Sequence, residues 1–333
     1  MRIRGYSLLG ALLLAGAIAT AETVKRDDPL AGAREAYESS DYGTAAQILR
    51  AAAAKDPQNA EIQLLLAKTY YELQEHDAAI ARAEKAVALE PGNSVYHEWL
   101  GRTYGEKAEH ASMFSALSLA KKTRREFEEA VQLDGNNFSA RQALIEYDCS
   151  APGIAGGGED KARPQIAELA SLDAAEGHYA AGNCRSRKKD FATADVEFTK
   201  ALASNPKSAD LIYDIGDYAV KRGQPERLLT VAEAGERLNP EDPRGKFYGA
   251  VGLILQKEKP GEAENLLREY LKVAPNRMNY PRRGDAHFWL GRLLESQDKT
   301  QAAVCEYETA VKLDPKNKNA REALKKLGTS SRR

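Results

Sequence analysis

Small and apolar residues recur along the chain at the spacing of helix faces. Between residues 60 and 93, Leu66 and Tyr70 lie on one stripe, and Ala79 and Ala83 lie on a second stripe further along. Spacings of three and four residues match the 3.6-residue period of an α-helix. Alanine is abundant and clusters of β-branched residues are scarce, which favours closely packed helices over sheet. The pattern predicts pairs of helices joined by a turn.

The helix pairs repeat with a period of about 34 residues. The intervals from Pro57 to Pro91 and from Pro206 to Pro240 are both 34 residues long, and the interval from Pro91 to Gly135 carries ten more. Since proline cannot continue a helix, these residues predict where the second helix of each unit has ended. The prolines that mark the period are Pro57, Pro91, Pro206, Pro240, Pro275 and Pro315.

The units resemble the tetratricopeptide repeat family, whose pattern runs Trp-x2-Leu-Gly-x2-Tyr, then Ala-x3-Phe, then Pro. The resemblance implies an all-α fold, a superhelical solenoid of helix-turn-helix repeats. A lone unit of about 34 residues cannot bury enough apolar surface to fold, so neighbouring units must share one core. The best matches are Leu100, Gly101 and Tyr104; Ala181, Gly182, Ala194, Phe198, Ala201 and Pro206; and Leu290, Gly291, Ala303, Tyr307, Ala310 and Pro315.

We expect eight motifs and a closing helix. Residues 26–174 hold motifs 1 to 4, with a long insertion in motif 3 and a glycine-rich loop in motif 4, and residues 175–317 hold motifs 5 to 8. Residues 318–333 form a capping helix and tail, whose charged face suits the open end of a solenoid. The expected motifs are residues 26–59, 60–93, 94–137, 138–174, 175–208, 209–242, 243–277 and 284–317.

The first 21 residues have the pattern of a secretory signal peptide. Arg2 and Arg4 precede a short apolar run from Leu8 to Ala19, and small residues follow up to Ala21. The run is too short to cross a bilayer comfortably, and the small residues fit a cleavage site before Glu22. We therefore expect an exported protein, periplasmic or secreted, that is soluble after cleavage and has no stable membrane insertion.

Charge and residue chemistry argue against several function classes. Of 48 basic residues, Arg2 and Arg4 lie in the leader, so 46 remain against 49 acidic ones, and no broad attraction to nucleic acid is expected. No nucleophile motif of the Gly-x-Ser-x-Gly type occurs. We predict no enzyme activity, cofactor or metal site, since the histidines are scattered without an i, i+4 histidine pair. These histidines are His76, His97, His110, His178 and His287, and the structural role of a half-buried ring is expected for His97, His178 and His287.

The three cysteines are too few for a disulfide-based scaffold. Cys149 and Cys184 fall on the first helices of adjacent motifs, so an oxidising compartment could join them. Facing helices often hold side chains too far apart for a disulfide, and the sequence leaves both states open. Cys305 remains as an ordinary small side chain.

The insertion in motif 3 predicts a helix pair that is longer than its neighbours, with a turn near Ser112. Met113, Phe114 and Leu117 would lie at or near the tip of this pair. We expect these side chains to pack on each other inside the hairpin. The alternative is an exposed apolar contact for a partner.

The glycine-rich segment of motif 4 predicts a structural loop. Gly153 to Gly158 include four glycines, which permit backbone angles that other residues resist. Glu159 and Asp160 follow, where a phosphate-binding loop needs Lys and Ser or Thr, and two carboxylates would repel phosphate. Instead, these acids favour the start of the next helix through its dipole.

In tetratricopeptide repeats the first helix of each unit lines a concave groove, and the resemblance implies that a protein or peptide partner binds there. Tyrosine and arginine recur at the matching positions, and both are enriched at interface centres. The implied groove residues are Arg34, Tyr37, Lys68, Tyr71, Arg102, Glu146, Tyr179, Asn183, Arg187, Tyr213, Asp217 and Lys221.

Three functions compete at this point. The first is a non-catalytic scaffold of the cell envelope that holds a peptide or helix in the groove. The second is an accessory subunit of envelope or outer-membrane assembly, with Met113 and Phe114 as its contact. The third is an enzyme or small-ligand receptor that uses the Gly153–Asp160 loop near Arg187 and Glu146. The sequence names no partner, pathway or oligomeric state.

Overall fold

The structure is a computed structural model that describes residues 28–330, and this part of the chain is helical throughout, without a strand. The predicted signal peptide, residues 1–21, lies outside the described residues. No described helix combines the length and apolarity that a bilayer crossing requires. The helices are α1 Ala31–Glu38, α2 Tyr42–Lys55, α3 Ala60–Glu72, α4 His76–Leu89, α5 Ser94–Glu109, α6 Met113–Leu133, α7 Phe138–Ser150, α8 Glu159–Leu172, α9 Ala174–Arg187, α10 Phe191–Ala203, α11 Ala209–Arg222, α12 Pro225–Leu238, α13 Arg244–Gln256, α14 Pro260–Val273, α15 Arg283–Ser296, α16 Thr300–Leu313 and α17 Lys318–Ser330.

These helices form pairs that stack into a solenoid, which confirms the predicted fold class. We call the odd-numbered helices α1 to α15 the A helices and the even-numbered helices α2 to α16 the B helices. Each A helix packs against the B helix that follows it, and α17 packs on α16 at the end of the stack. Successive A helices also touch, as in α3 with α5, α5 with α7 and α7 with α9. The A helices therefore form a shared wall.

Caps and prolines set the helix ends at the predicted period. Helix α4 ends at Leu89, two residues before Pro91. Asn93 then caps α5, since its side chain accepts a hydrogen bond from the backbone N–H of Val95 at 3.1 Å. Such a cap satisfies one of the amide groups that a helix leaves unpaired at its start.

The two helices of a unit approach closely where a glycine on the A helix meets an aromatic ring on the B helix. A Cβ added at Gly182 would lie 2.6 Å from a ring carbon of Phe198, and both residues are buried. Only a residue without a side chain leaves room for the ring, so the glycine of the sequence motif has a packing role. The same contact joins Gly101 to Phe127 and Gly291 to Tyr307.

A histidine on the A helix and a glutamate on the B helix join the two helices of three units. The partners are 19 residues apart in two of these pairs and 29 apart in the third, which belongs to motif 3. Since the difference is ten residues, the insertion lengthens the far end of the hairpin and leaves its base in register. The pairs are His97–Glu126 at 2.8 Å, His178–Glu197 at 2.7 Å and His287–Glu306 at 2.7 Å.

The solenoid bends far enough for the segment after α14 to reach α1. The side-chain amide of Asn276 donates to the backbone carbonyl of Ser39 at 3.3 Å. Arg277 forms an ion pair with Glu38 at 3.1 Å. The seventh helix pair thus touches the first one.

Replacing Gly182 by Ala should destabilise the fold, because the new methyl group would overlap the ring of Phe198. We expect a loss of about 1 to 3 kcal/mol in the free energy of unfolding. Urea denaturation followed by circular dichroism measures it. Gly92→Ala is the control, since nothing lies within 4 Å of its added Cβ, and it should change stability by less than about 0.5 kcal/mol. Equal stability of the two variants would contradict the close approach.

A candidate binding pocket on the A-helix wall

Four successive A helices, α3, α5, α7 and α9, contribute to one cavity of about 760 Å³. We call it the A-helix pocket. Four residues predicted for the groove line it together, namely Tyr71, Arg102, Glu146 and Arg187. The remaining wall comes from α6 between Met113 and Phe127 and from the glycine-rich segment after α7. The two irregular features of the sequence, the insertion and the loop, therefore meet at one place.

The rim of the A-helix pocket is apolar and open to solvent. Phe114 is 87% exposed, Met113 is 79% exposed and Ile154 is 73% exposed. The expectation that Met113 and Phe114 pack inside the hairpin is wrong. The insertion carries the start of α6 away from the base of the hairpin, where the ring of Phe127 packs in the core, so the tip side chains point outward. Clustered apolar exposure of this kind marks interaction sites.

The glycine-rich segment is a structured loop, as predicted, and it holds Ile154 at the rim. The hydroxyl of Tyr147 donates to the carbonyl of Ala155 at 2.7 Å, across a single 3₁₀ turn from Gly153 to Ala155. A side chain at Gly157 would collide with the carbonyl of Ala151, since its Cβ would lie 2.2 Å from that oxygen. The loop can close back on α7 only with glycine there.

Asp148 fixes the loop and the long hairpin to each other. Its backbone carbonyl accepts a hydrogen bond from the N–H of Gly158 at 2.8 Å, and its buried carboxylate accepts one from Nε of Arg124 on α6 at 2.8 Å. Charge-assisted hydrogen bonds of this kind are stronger than neutral ones. One residue of α7 thus positions both irregular walls of the pocket.

Cys149 and Cys184 form a disulfide in the structure, with 5.5 Å between their Cα atoms. It joins α7 to α9, and it lies immediately before the glycine-rich segment. The sequence left this pairing open, and the close contact of α7 and α9 explains how the two side chains meet. Cys305 is a free, exposed cysteine.

The tyrosines of the predicted groove mostly serve to join repeats. Tyr71 donates to Glu106 at 3.3 Å, and Tyr179 donates to Asp214 at 2.7 Å, in both cases 35 residues ahead. Burial and the nearby Glu106 raise the pKa of Tyr71 to about 12. Tyr179 and Tyr213 are buried in the core, so the expectation that a partner could reach their rings needs correction. The helix face that was predicted to line the groove therefore also contacts the neighbouring repeat.

The other predicted groove residues lie outside the pocket lining. Arg34 forms an ion pair with Glu61 at 2.7 Å, and Asp217 accepts a hydrogen bond from Tyr248 at 2.7 Å. Tyr37 packs edge-on against Tyr42. Asn183 is half-buried and Lys221 is exposed. These residues are distributed along the A-helix wall and do not form a second site.

Sequence reasoning missed Trp99, which organises the wall beside the pocket. The ammonium of Lys68 lies 4.6 Å from the centre of its ring, and the guanidinium of Arg102 lies 5.6 Å away. Tyr71 packs edge-on against the same ring at 5.9 Å. Cations over an indole face are stabilised by the ring quadrupole. The signal was the rarity of tryptophan, which occurs only twice in the sequence.

The histidines are also less scattered than the sequence suggested. His76 and His110 stack with 5.0 Å between their ring centres, and one ligand atom each from His76, Glu106 and His110 lies within 4.8 Å of the others. The histidines have no i, i+4 pair in the sequence, but His76 and His110 meet in space across two neighbouring motifs. The two residues are 34 apart, which is one repeat period, and this spacing was the signal.

Comparison with known families identifies the repeated unit. Two family profiles, both described as tetratricopeptide repeat, match residues 36–102 and 255–318. Both segments are tetratricopeptide repeats. Repeats of this type form extended binding surfaces. A comparison of the sequence with characterised proteins gives no significant match.

Yeast Tom70 has a similar fold, and other solved structures are less similar. Yeast Tom70 is similar with a TM-score of 0.58 and 15% identity, over 97% of this chain and 67% of that one. A tetratricopeptide repeat protein from Parabacteroides merdae has a TM-score of 0.43 and 11% identity, over 90% and 97%. An O-GlcNAc transferase mutant from Thermobaculum terrenum has a TM-score of 0.34 and 19% identity, over 51% of this chain. The present chain spans 27% of that transferase. At these identities the likeness concerns the fold alone.

Removing the disulfide with Cys149→Ser and Cys184→Ser together should lower the free energy of unfolding. The bond closes a loop of 35 residues, and a loop of that length is expected to contribute about 4 kcal/mol. Urea denaturation with and without reductant measures the effect, and Cys305→Ser is the control. If reductant leaves the denaturation midpoint of the unsubstituted protein unchanged, the bond does not form in solution.

Proposed function

We propose that this protein is a non-catalytic scaffold of the cell envelope that binds an apolar segment of a protein partner, a peptide or a helix, in the A-helix pocket. The observation that carries the proposal is the apolar rim of Met113, Phe114 and Ile154 around a cavity of about 760 Å³. An amphipathic helix or an extended peptide binds grooves of this kind through a few apolar anchors. No nucleic-acid partner is part of the proposal.

The exposed rim favours a polypeptide over a small molecule. A ligand seated inside the cavity would leave most of the ring of Phe114 in water, because that ring is 87% exposed. A chain segment lying across the cavity would cover Phe114 and Ile154 together. Since burial of apolar surface contributes about 25 cal/mol per Å², the larger ligand gains more from this rim.

Charged side chains at the edge of the pocket would orient the partner. Arg187 forms an ion pair with Glu146, and both side chains are about half exposed. An exposed ion pair contributes little to stability, so either member can exchange its partner for a group on a bound chain. The Nε atom of Arg102 donates a hydrogen bond to Glu98 at 2.9 Å, and this bond fixes the guanidinium of Arg102 at the pocket. These groups add specificity to the apolar contact.

The proposed location in the envelope is supported by the signal-peptide pattern of residues 1–21. A disulfide between Cys149 and Cys184 is consistent with it, because such bonds persist in oxidising compartments. The exposed Met113 and Phe114 would also suit an accessory subunit of envelope assembly. The bound segment would then belong to the protein that is being assembled.

A small-ligand receptor is the second candidate. Pro152, Ile154 and Ala155 of the glycine-rich segment line the cavity, and its volume is in the range of small-molecule sites. A purified sample that holds a bound apolar metabolite, released on denaturation, would favour this candidate.

The central test places a photo-crosslinking amino acid at position 114 in cells that produce the protein, followed by mass spectrometry of the products. The identified partner is then titrated against purified variants. Phe114→Asp and Ile154→Asp should each weaken binding by more than about tenfold, because burying such a side chain contributes about 2 kcal/mol and a carboxylate would be desolvated instead.

Val196 gives the matched control, as an apolar residue on α10 that is 52% exposed and lies outside the pocket lining. A crosslinker at position 196 should capture no partner in common with position 114, and Val196→Asp should leave binding unchanged. Partner binding that survives both Phe114→Asp and Ile154→Asp would show that the A-helix pocket is not the binding site.

A further inference from the structure

A cluster of metal-ligand side chains lies behind the A-helix pocket, where α4 begins and α5 ends. His76 is the first residue of α4, His110 follows the last residue of α5, and Glu106 lies one turn before it. The Nε2 atom of His110 is 3.4 Å from Oε1 of Glu106, and the two imidazole rings stack within 18° of parallel. Three ligand atoms from two repeats thus converge within 4.8 Å of one another.

The distances suit a metal ion after small side-chain movements. Tetrahedral zinc with bonds of about 2.1 Å holds its ligand atoms about 3.4 Å apart, close to the separation of His110 and Glu106. His76 is half-buried and His110 is exposed, so their rings can turn without disturbing the core. Two imidazoles and a carboxylate are ligands that Zn²⁺, Ni²⁺ and Cu²⁺ accept.

The surrounding charges also accommodate a cation. Lys107, which lines the cavity beside the cluster, is paired with Asp77, and this carboxylate offsets its positive charge. Glu75 and Asp77 line the cavity of about 390 Å³ beside the rings. The site lies at the C-terminal end of α5, whose negative dipole end favours a cation, and at the N-terminal end of α4, whose positive end opposes one, so the two helix dipoles largely cancel there.

Glu106 connects the cluster to the A-helix pocket. Its Oε1 faces His110, whereas its Oε2 accepts the hydroxyl of Tyr71 at 3.3 Å, and both Tyr71 and Glu106 line the pocket. A hydrogen bond to the second oxygen of a ligating carboxylate orients it for the metal. Tyr71 therefore supports the carboxylate from the pocket side.

We propose that His76, Glu106 and His110 bind one late first-row divalent cation, with Zn²⁺ as the best match. The ion would join the second and third repeats beside the long hairpin. Three protein ligands leave one coordination position for water or another donor.

The test uses the purified protein, stripped with EDTA and desalted, and titrates ZnCl₂ by calorimetry. One Zn²⁺ per chain should bind, and His76→Ala, His110→Ala and Glu106→Gln should each weaken binding by at least about tenfold, because a loss of one ligand in three removes much of the coordination energy. Cobalt absorption then reports the ligand geometry, and circular dichroism shows that the variants fold.

His178→Ala is the matched control, since His178 also lies beside a glutamate, Glu197, but in another repeat. It should leave zinc binding unchanged. The proposal is overturned if zinc binds more weakly than about 1 mM, if binding survives His76→Ala and His110→Ala, or if His178→Ala removes it equally. No partner is present in this titration, so its outcome is independent of the proposed scaffold role.

Discussion

The structure depends on the apolar surface that each helix pair shares with the next. A single pair is too small to bury a core, although a glycine on the A helix lets the rings of Phe198 and Tyr307 pack closely within their own pairs. In motifs 5 to 8 these contacts merge into one large cluster from Ala175 to Tyr307, whereas the first half of the chain has several smaller ones. Since every contact of this kind is between neighbours in sequence, the stack tolerates a change in one unit without a change in the others.

The A-helix pocket is a direct result of that tolerance. Motif 3 gains ten residues, but the His97–Glu126 pair at its base keeps the same geometry as in unmodified units, so the additional turns extend past the wall. The glycine-rich loop of motif 4 then fills the space below the extended tip, held through Asp148 to the hairpin. Two local departures from a regular repeat, in adjacent units, together make a site that neither would make alone.

The period, the helix pairs and the role of the motif glycines could be predicted from the sequence, because they follow from local spacing and from packing within one unit. The pocket could not, because Phe114, Ile154 and Arg187 come from three motifs and meet only when those motifs stack on one another. The sequence predicted Tyr179 and Tyr213 on the open groove for a related reason. Their positions on the A helix face the groove in a regular repeat, but here the next repeat packs over both side chains and buries them. The pairing of His76 with His110 needed the rule that positions one period apart become neighbours in space.

The contact between the first and the seventh helix pairs has a mechanical consequence. Asn276 and Arg277 meet α1 through one hydrogen bond and one half-exposed ion pair, which together contribute on the order of 1 to 2 kcal/mol. A closure this weak breaks and re-forms under thermal motion, while the buried core between repeats stays intact. Separating the seventh helix pair from the first would therefore cost far less free energy than separating two neighbouring helix pairs, and it would require no helix to unfold.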